Sequence, residues 1–231
     1  MNDEFNVKKE SINSFYNSIA ETYEGQLTDL DKQAREEIAR LFSSQVHKGI
    51  VLDFGGGTGL DLPWLLTSQS RIFFIEPSSA MRRVAIEKFK HEERITFLED
   101  GLDFTQWTED QLPIKERADG VLANFAVLNC INDIDSYFEK IAFLCRENCH
   151  LMVIVIDPRY RAMIRNYSIT SALRLLYRER LTILNKNKGV YHETYLYTLR
   201  AIRKAARKYF VFKSWQPIGF SNFIAVSLIK R

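Results

Sequence analysis

The sequence is poor in the residues that build metal sites and disulfide frameworks. Its 231 residues include three cysteines, Cys130, Cys145 and Cys149, and no pair has the two-residue spacing of a zinc ligand pair. An odd number of cysteines in this arrangement favours a reduced protein, so we expect a cytoplasmic chain with no bound metal. No apolar run reaches the roughly 18 residues of a membrane span, and the first eleven residues contain acids. We therefore expect neither a transmembrane helix nor a signal peptide.

Acidic residues are scarce in the late part of the chain. Residues 158–213 contain 14 basic residues (Lys and Arg) but only two acidic residues (Asp and Glu). Residues 1–157 contain 16 basic and 27 acidic residues. An excess of positive charge is typical either of a solvated helix face or of a segment that meets an anionic substrate or surface. The sequence leaves both interpretations open.

Short apolar runs alternate with helical patterns through the middle of the chain. The runs are 50–54, 71–75, 95–98, 119–125 and 150–156, and the helical patterns are 60–68, 78–91 and 135–146. Continuous rather than alternating apolar character indicates strands buried on both faces. Strand–helix alternation of this kind predicts an α/β fold with a doubly wound, mostly parallel sheet.

Further elements are predicted on both sides of this alternation. Helical patterns at 8–24 and 30–46 predict an N-terminal helical cap over residues 1–46. We expect one domain over residues 1–231, in which a basic insertion over 158–208 forms part of a substrate lid. The insertion is predicted to be helical over 159–184, with a strand at 190–196 and a helix at 197–208. The last strands, 209–215 and 222–229, are joined by a short loop and should be antiparallel.

Four glycines follow the first predicted strand in residues 50–62, IVLDFGGGTGLDL. Ligands of open α/β sheets bind at this carboxyl edge. A dinucleotide fingerprint is excluded because its last glycine position falls on Leu60 or Leu62, and the Gly-Lys-Ser/Thr of a phosphate loop is missing. What remains is an acid, Asp53, followed by alternating glycines at positions 55, 57 and 59.

Acids also follow the second and third predicted strands. Glu76 lies in IEPSSAM (75–81), and Asp100 precedes Gly101. An acid about 20 residues past a glycine loop can accept hydrogen bonds from both hydroxyls of a ribose. The Asp100-Gly101 pair is also typical of an ordinary turn.

Together these motifs resemble the class I S-adenosylmethionine-dependent methyltransferases over residues 12–157. The resemblance implies a Rossmann-like sheet with an antiparallel last strand, S-adenosyl-L-methionine as cofactor and S-adenosyl-L-homocysteine as product. In it, Asp53 pairs with the cationic methionine end, Glu76 binds the ribose, and Asp100 and Gly101 meet the adenine. The other cofactor-binding residues that it implies are Gly55, Gly56, Gly57, Gly59, Pro77, Met81, Asn124 and Phe125.

The N-terminal stretch YNSIAETYE (16–24) is similar to a family signature on a helix that folds over the cofactor. The resemblance therefore adds Tyr16 and Tyr23 to the cofactor site. Two aromatic side chains on one apolar helix face are otherwise typical of a core.

The methyl acceptor is less well determined than the cofactor. The chain lacks the Asp/Asn-Pro-Pro-Tyr/Phe tetrad used on exocyclic amines of bases or glutamine, which argues against N-methylation of DNA or of protein glutamine, and we do not expect a nucleic-acid partner. We expect transfer to an oxygen or nitrogen of a small molecule, and an anionic group on it would suit the arginines of the insertion. The predicted substrate-binding residues are Asn129, Arg159, Tyr160 and Tyr195. His192 is the candidate general base, although a surface histidine without a role is the competing interpretation.

Two alternatives remain open from the sequence. A methyltransferase of RNA or another polyanion would use the basic segment, and its affinity would fall steeply with salt. A non-catalytic partner or sensor protein would bind the cofactor without turnover.

Overall fold

The computed structural model describes residues 12–98, 104–187 and 190–231. Asp100 and Gly101, both predicted to meet an adenine, lie outside the described residues. Within these ranges, no helix combines the length and apolar character that crossing a bilayer requires.

Nine strands form two sheets. They are β1 (Ile50–Phe54), β2 (Arg71–Ile75), β3 (Ile95–Leu98), β4 (Ala118–Ala123), β5 (Cys145–Ile156), β6 (Arg180–Asn187), β7 (Val190–Tyr197), β8 (Phe210–Pro217) and β9 (Phe223–Lys230). Seven of them form one sheet in the order β3-β2-β1-β4-β5-β9-β8, and β6 and β7 form a separate antiparallel pair. The first five strands are parallel to one another, whereas β9 runs antiparallel to both of its neighbours. The predicted α/β class with a mostly parallel sheet and antiparallel last strands is confirmed.

Helices cover both faces of the large sheet. The first, α1, is helical over the described residues 12–19. The others are α2 (Asp29–Gln45), α3 (Leu62–Ser68), α4 (Ser79–Phe89), α5 (Ile134–Leu144), α6 (Tyr160–Asn166), α7 (Ile169–Arg178) and α8 (Leu199–Ala206). A capping box begins α2, because the Thr28 side chain accepts from the Asp31 backbone N–H and the Asp31 carboxylate accepts from that of Thr28.

The core consists of two apolar layers, one on each face of the large sheet. Val51 and Leu52 are both fully buried, yet they belong to different layers because successive strand residues point to opposite faces. This two-sided burial explains why the strands are continuous apolar runs in the sequence.

The insertion differs from its prediction in one respect. Residues 180–184, predicted to extend the basic helical segment, instead begin β6, which pairs with β7 from Arg180–Tyr197 to Asn187–Val190. The first helical part of the insertion, α6 and α7, ends with Arg178, after which Glu179 takes a left-handed conformation with φ of 59°. A residue with positive φ cannot continue a right-handed helix, so the chain turns directly into the strand.

Candidate active site at the carboxyl edge of the sheet

The glycine loop joins β1 to α3 at the carboxyl edge of the sheet. A side chain on Gly56 would collide with the Phe74 ring at 2.2 Å and with Asp53 Oδ2 at 2.6 Å, so this residue packs tightly on the strands below. Gly57 is the opposite case, because a Cβ there would meet no atom within 4 Å. Its φ of +61° also favours glycine. The backbone at Gly57 is therefore bare and open toward a cavity.

Glu76 lies opposite this bare backbone, directly after β2. Its carboxylate accepts the Gly57 N–H at 2.8 Å and the Ser78 N–H at 2.7 Å, and the residue is only 6% exposed. Burial raises the pKa of Glu76 to about 7, although the two backbone donors oppose that shift. The carboxylate thus sits at the cavity with capacity to accept further donors.

Asp53 lies beneath the loop, near the end of β1. It is fully buried, and neither carboxylate oxygen has a hydrogen-bond partner. Burial, with a contribution from the neighbouring Asp61, raises its pKa well above the usual range. A buried carboxyl without a partner is costly, which makes Asp53 a candidate for binding a donor or cation from a ligand.

A polar cluster that the sequence analysis missed closes another side of the cavity. Asp61 accepts from Arg35 Nη1 at 3.0 Å, from Trp64 Nε1 at 3.1 Å and from Asn124 Nδ2 at 2.8 Å. The Arg35 guanidinium also lies 4.0 Å from the centroid of the Phe125 ring. Asp61 could have been noticed as a polar residue inside the glycine-rich turn. Arg35 could not, because a lone arginine on an amphipathic helix is typical of a solvated face.

The end of β4 contributes the backbone around Phe125. Phe125 and Ala126 both have positive φ, 45° and 67°, conformations that are uncommon for residues other than glycine. The Asn124 side chain secures the turn, since its Oδ1 accepts the Phe125 N–H at 2.8 Å while its Nδ2 binds Asp61. The strand end is therefore held tightly against the cavity.

Helix α1 covers the cavity from above. Asn17 Oδ1 accepts from Ser78 Oγ at 2.7 Å and from the Ala80 N–H at 3.1 Å, which ties α1 to the start of α4. The Tyr16 hydroxyl lies 3.6 Å from Cys130 Sγ. The Cys130 thiol and burial together hold the pKa of Tyr16 well above its usual range.

Most of the predicted cofactor residues meet at this one cavity. Its wall includes Tyr16, Tyr23, Gly55, Gly56, Gly57, Glu76, Pro77, Met81, Asn124 and Phe125. Asp53 and Gly59 lie behind that wall, where Gly59 packs on Leu62 and Ala85. Among the described residues, no group of three or more His, Cys, Asp or Glu side chains is suited to holding a metal ion.

The predicted substrate residues lie elsewhere in the described part of the chain. Asn129 is buried and links two strands, because its Nδ2 donates to the Tyr195 carbonyl at 2.6 Å and its Oδ1 accepts the Ile156 N–H at 2.9 Å. The Tyr195 hydroxyl donates to Glu193, and the Arg159 guanidinium binds Asp157 at 2.6 Å. Tyr160 is exposed.

His192 packs on the helix that covers the cavity. Its ring stacks on Phe15 of α1 with 4.1 Å between centroids. Its Nδ1 is buried without a partner, and burial lowers the pKa of the imidazole. His192 is therefore neutral near pH 7, and it contacts α1 from the side of the insertion.

This sheet order, with a glycine loop after β1 and an acid after β2, defines the class I methyltransferase fold. A family model described as a methyltransferase domain matches residues 26–213. The chain belongs to this methyltransferase domain family.

Individual relatives and solved structures are consistent with that membership. An uncharacterised methyltransferase of Geobacillus kaustophilus is 36% identical over 100 residues, which cover 41% of this chain and 45% of the relative. The chain spans less than half the length of the curated relatives that it matches.

Among solved structures, the complex of DhpI with S-adenosylhomocysteine has a TM-score of 0.70 at 15% identity, with 96% of this chain and 97% of the other covered. The 1,6-didemethyltoxoflavin N1-methyltransferase of Burkholderia thailandensis has a TM-score of 0.68 at 15% identity, with coverage of 96% and 88%. At these identities the structural likeness describes the fold.

Proposed function

We propose that the chain is an S-adenosylmethionine-dependent methyltransferase that acts on an oxygen or nitrogen of a small molecule. One observation carries the proposal. Asp61 and Glu76 line the cavity together with the bare Gly57 backbone, Asp53 is buried behind its wall, and Arg35 is paired with Asp61. Such an acidic site fits a ligand that carries an ammonium and a sulfonium, and does not fit a phosphate.

The residues of the cavity fit the parts of this cofactor. Glu76 would accept from the ribose hydroxyls, in place of or beside the backbone donors that it now binds. Asp53, buried without a partner, would bind the ammonium group directly or through a water. Arg35, whose Nε has no partner, is our candidate for the carboxylate of the methionine moiety.

Bound S-adenosylmethionine supplies an electrophilic methyl group on a positively charged sulfur. The protein's contribution is then alignment of an acceptor and exclusion of water. Tyr16 and Tyr23 of the α1 region would cover the cofactor, and the backbone at Asn124 and Phe125 would lie beside the transferred group.

The acceptor is proposed to enter from the side of α1 and the insertion. His192 supports this because its imidazole is neutral, lacks a partner at Nδ1 and stacks on α1. A neutral imidazole can take a proton from an acceptor hydroxyl or amine. The small-molecule class is further supported by the similar fold of the 1,6-didemethyltoxoflavin N1-methyltransferase, whose structure holds bound 1,6-didemethyltoxoflavin. Asn129, Arg159, Tyr160 and Tyr195 remain predicted substrate residues.

The test is calorimetric titration with S-adenosylmethionine and S-adenosylhomocysteine, followed by a screen for methyl transfer to small molecules. We expect both ligands to bind to wild type and to bind at least tenfold more weakly to Glu76→Gln, which loses a charge-assisted acceptor. Glu87→Gln, at an exposed position of α4, is the matched control and should bind as wild type.

The possible results separate three functions. Binding of both ligands with transfer to a small molecule supports the proposal. Binding with transfer only to RNA, in a salt-sensitive manner, would point to the polyanion alternative. Binding without transfer to any acceptor would point to a sensor or partner protein, and no binding at all would contradict the proposal.

A further inference from the structure

Helix α7 carries an exposed apolar stripe. Ile169, Leu173 and Leu176 recur at four- and three-residue spacing, so they share one face, and they are 56%, 54% and 54% exposed. The adjoining side of α7 is a normal core contact, since Ala172 and Leu175 are buried with Met163 and Leu196. The apolar surface of the helix is therefore only partly covered by the described parts of the protein.

The elements that contact α7 also expose large apolar side chains. Exposed large apolar side chains beside it are Tyr160, Ile164 and Tyr167 on or next to α6, Tyr177 on α7 and Leu184 on β6. Tyr177 is 89% exposed. These residues with the α7 stripe form what we call the α6–α7 face. Several exposed apolar side chains on adjoining elements are typical of an interaction site.

The charge of this segment has one sign. Between positions 158 and 178 every charged residue is an arginine, at 159, 161, 165, 174 and 178, and all five are exposed. Arg159 binds Asp157, and Arg165 Nη2 donates to Asn222 Oδ1 at 2.9 Å. Within the ranges that the structure covers, Arg161, Arg174 and Arg178 have no carboxylate partner. Three guanidinium groups are thus available to an anionic surface.

We propose that the α6–α7 face binds the surface of a lipid bilayer that contains anionic headgroups. Short amphipathic helices bind in this way when apolar side chains enter the acyl boundary and arginines meet the lipid phosphates. Both features occur here on adjacent helices. The proposal does not rest on the cofactor site, because none of its residues lines that cavity.

A second copy of the chain is a less suitable occupant. A two-fold contact places the same patch against itself. Arginines at 161, 174 and 178 would then approach the partner's arginines without an acid in the segment to neutralise them. An anionic bilayer neutralises the same charges and also accepts the leucines.

The experiment is cosedimentation of the full chain with vesicles of phosphatidylcholine alone and of phosphatidylcholine mixed with phosphatidylglycerol. Wild type should pellet with the mixed vesicles, bind more weakly at high salt and bind neutral vesicles poorly. Leu173→Ser/Leu176→Ser should weaken binding to the mixed vesicles by about tenfold or more, because two inserted side chains are lost. Each arginine replaced by glutamine should weaken binding to the mixed vesicles by about fivefold. The double variant Arg174→Gln/Arg178→Gln should therefore bind more weakly than either single variant.

Controls keep the outcome interpretable. Phe220→Ser removes an apolar side chain that is 92% exposed and lies in the β8–β9 turn, so it should bind vesicles as wild type does. Circular dichroism would check that every variant is folded.

Three results would overturn the proposal. These are equal binding to neutral and anionic vesicles, undiminished binding of Leu173→Ser/Leu176→Ser, and the finding that the face instead forms a dimer in ultracentrifugation that these serines abolish.

Discussion

Glu76 combines two properties that rarely occur together, a buried carboxyl and a position at the cavity wall. Its pKa is raised to about 7, while an ordinary glutamate in the unfolded chain ionises near 4.5. In the proposed complex the ribose hydroxyls donate to the ionised form. Below pH 7 the free protein must therefore release a proton before the ligand binds, and above pH 7 it need not.

The affinity for S-adenosylhomocysteine should accordingly fall as the pH drops from about 8 to about 6, approaching tenfold per pH unit below 7. Asp53, whose pKa is also raised, acts in the same direction. Calorimetry in buffers of different ionisation enthalpy measures both the affinity and the protons released. Glu76→Gln should bind weakly and lose most of this pH dependence. An affinity that is constant over this range in wild type would contradict the ionised role of Glu76.

Substitutions at Gly57 and Asp53 test the glycine loop and the strand end beneath it separately. A valine at Gly57 would project into the open space of the cavity, and an alanine at Asp53 would remove the orphaned carboxylate. We expect neither variant to bind S-adenosylhomocysteine, while far-UV circular dichroism stays close to that of wild type. If both variants bind as wild type does, the ligand lies elsewhere.

A matched control separates blocking of the cavity from backbone strain. Gly219 also has positive φ, at 46°, but lies in the turn between β8 and β9. Gly219→Val should therefore strain the backbone in a comparable way and still bind the ligand.

At the scale of elements, α1 is attached by apolar packing around Phe15 and Ile19 and by a few polar contacts. Asn17 is the polar link from α1 to the start of α4, since it accepts from both the Ser78 hydroxyl and the Ala80 backbone. Asn17→Ala should loosen α1, accelerate hydrogen exchange over residues 12–19 and weaken ligand binding about fivefold, which corresponds to roughly one hydrogen bond. Gln26→Ala, which loses only an exposed bond to Thr22, is the control. Unchanged exchange in Asn17→Ala would mean that apolar packing alone holds the helix.

The sequence predicts the central elements well because their signals are local. Strands buried on both faces are recognisable as apolar runs, and the residues at their carboxyl ends must share one edge. The prediction of helix for residues 180–184 was wrong for a physical reason. The alternation of Leu181 and Ile183 is typical of a strand, but it follows a basic helical pattern without a proline or glycine to separate them. The second strand-like run, at 190–196, follows the glycine-containing pair Lys188-Gly189 in the sequence, and this pattern would have indicated a β-hairpin.

The Arg35–Asp61 pair could not be found in this way. Its members are 26 positions apart and meet only because α2 packs beside the glycine loop. Long-range polar contacts of this kind leave no period in the sequence, so the structure is needed to identify them.

At the scale of the whole molecule, the cavity joins distant parts of the chain. Its residues come from the α1 region, α2, the glycine loop and the ends of β2 and β4. A ligand that binds only the assembled site stabilises the whole fold. S-adenosylhomocysteine at 100 times its dissociation constant should therefore raise the free energy of unfolding by about 2.7 kcal/mol, measured by urea denaturation. At the same ligand concentration, the free energy of unfolding of Glu76→Gln should rise much less. An equal rise would show that the ligand binds independently of this site.

Cys130 gives this site an intrinsic chemical reporter. Its thiol lies in the cavity wall against Tyr16 and is partly exposed, whereas Cys145 and Cys149 are buried in the core. Burial raises the pKa of Cys130 to about 11, so alkylation at neutral pH should be slow enough to follow by mass spectrometry. Protection of this one thiol by a ligand would then map occupancy on the native protein without any added label.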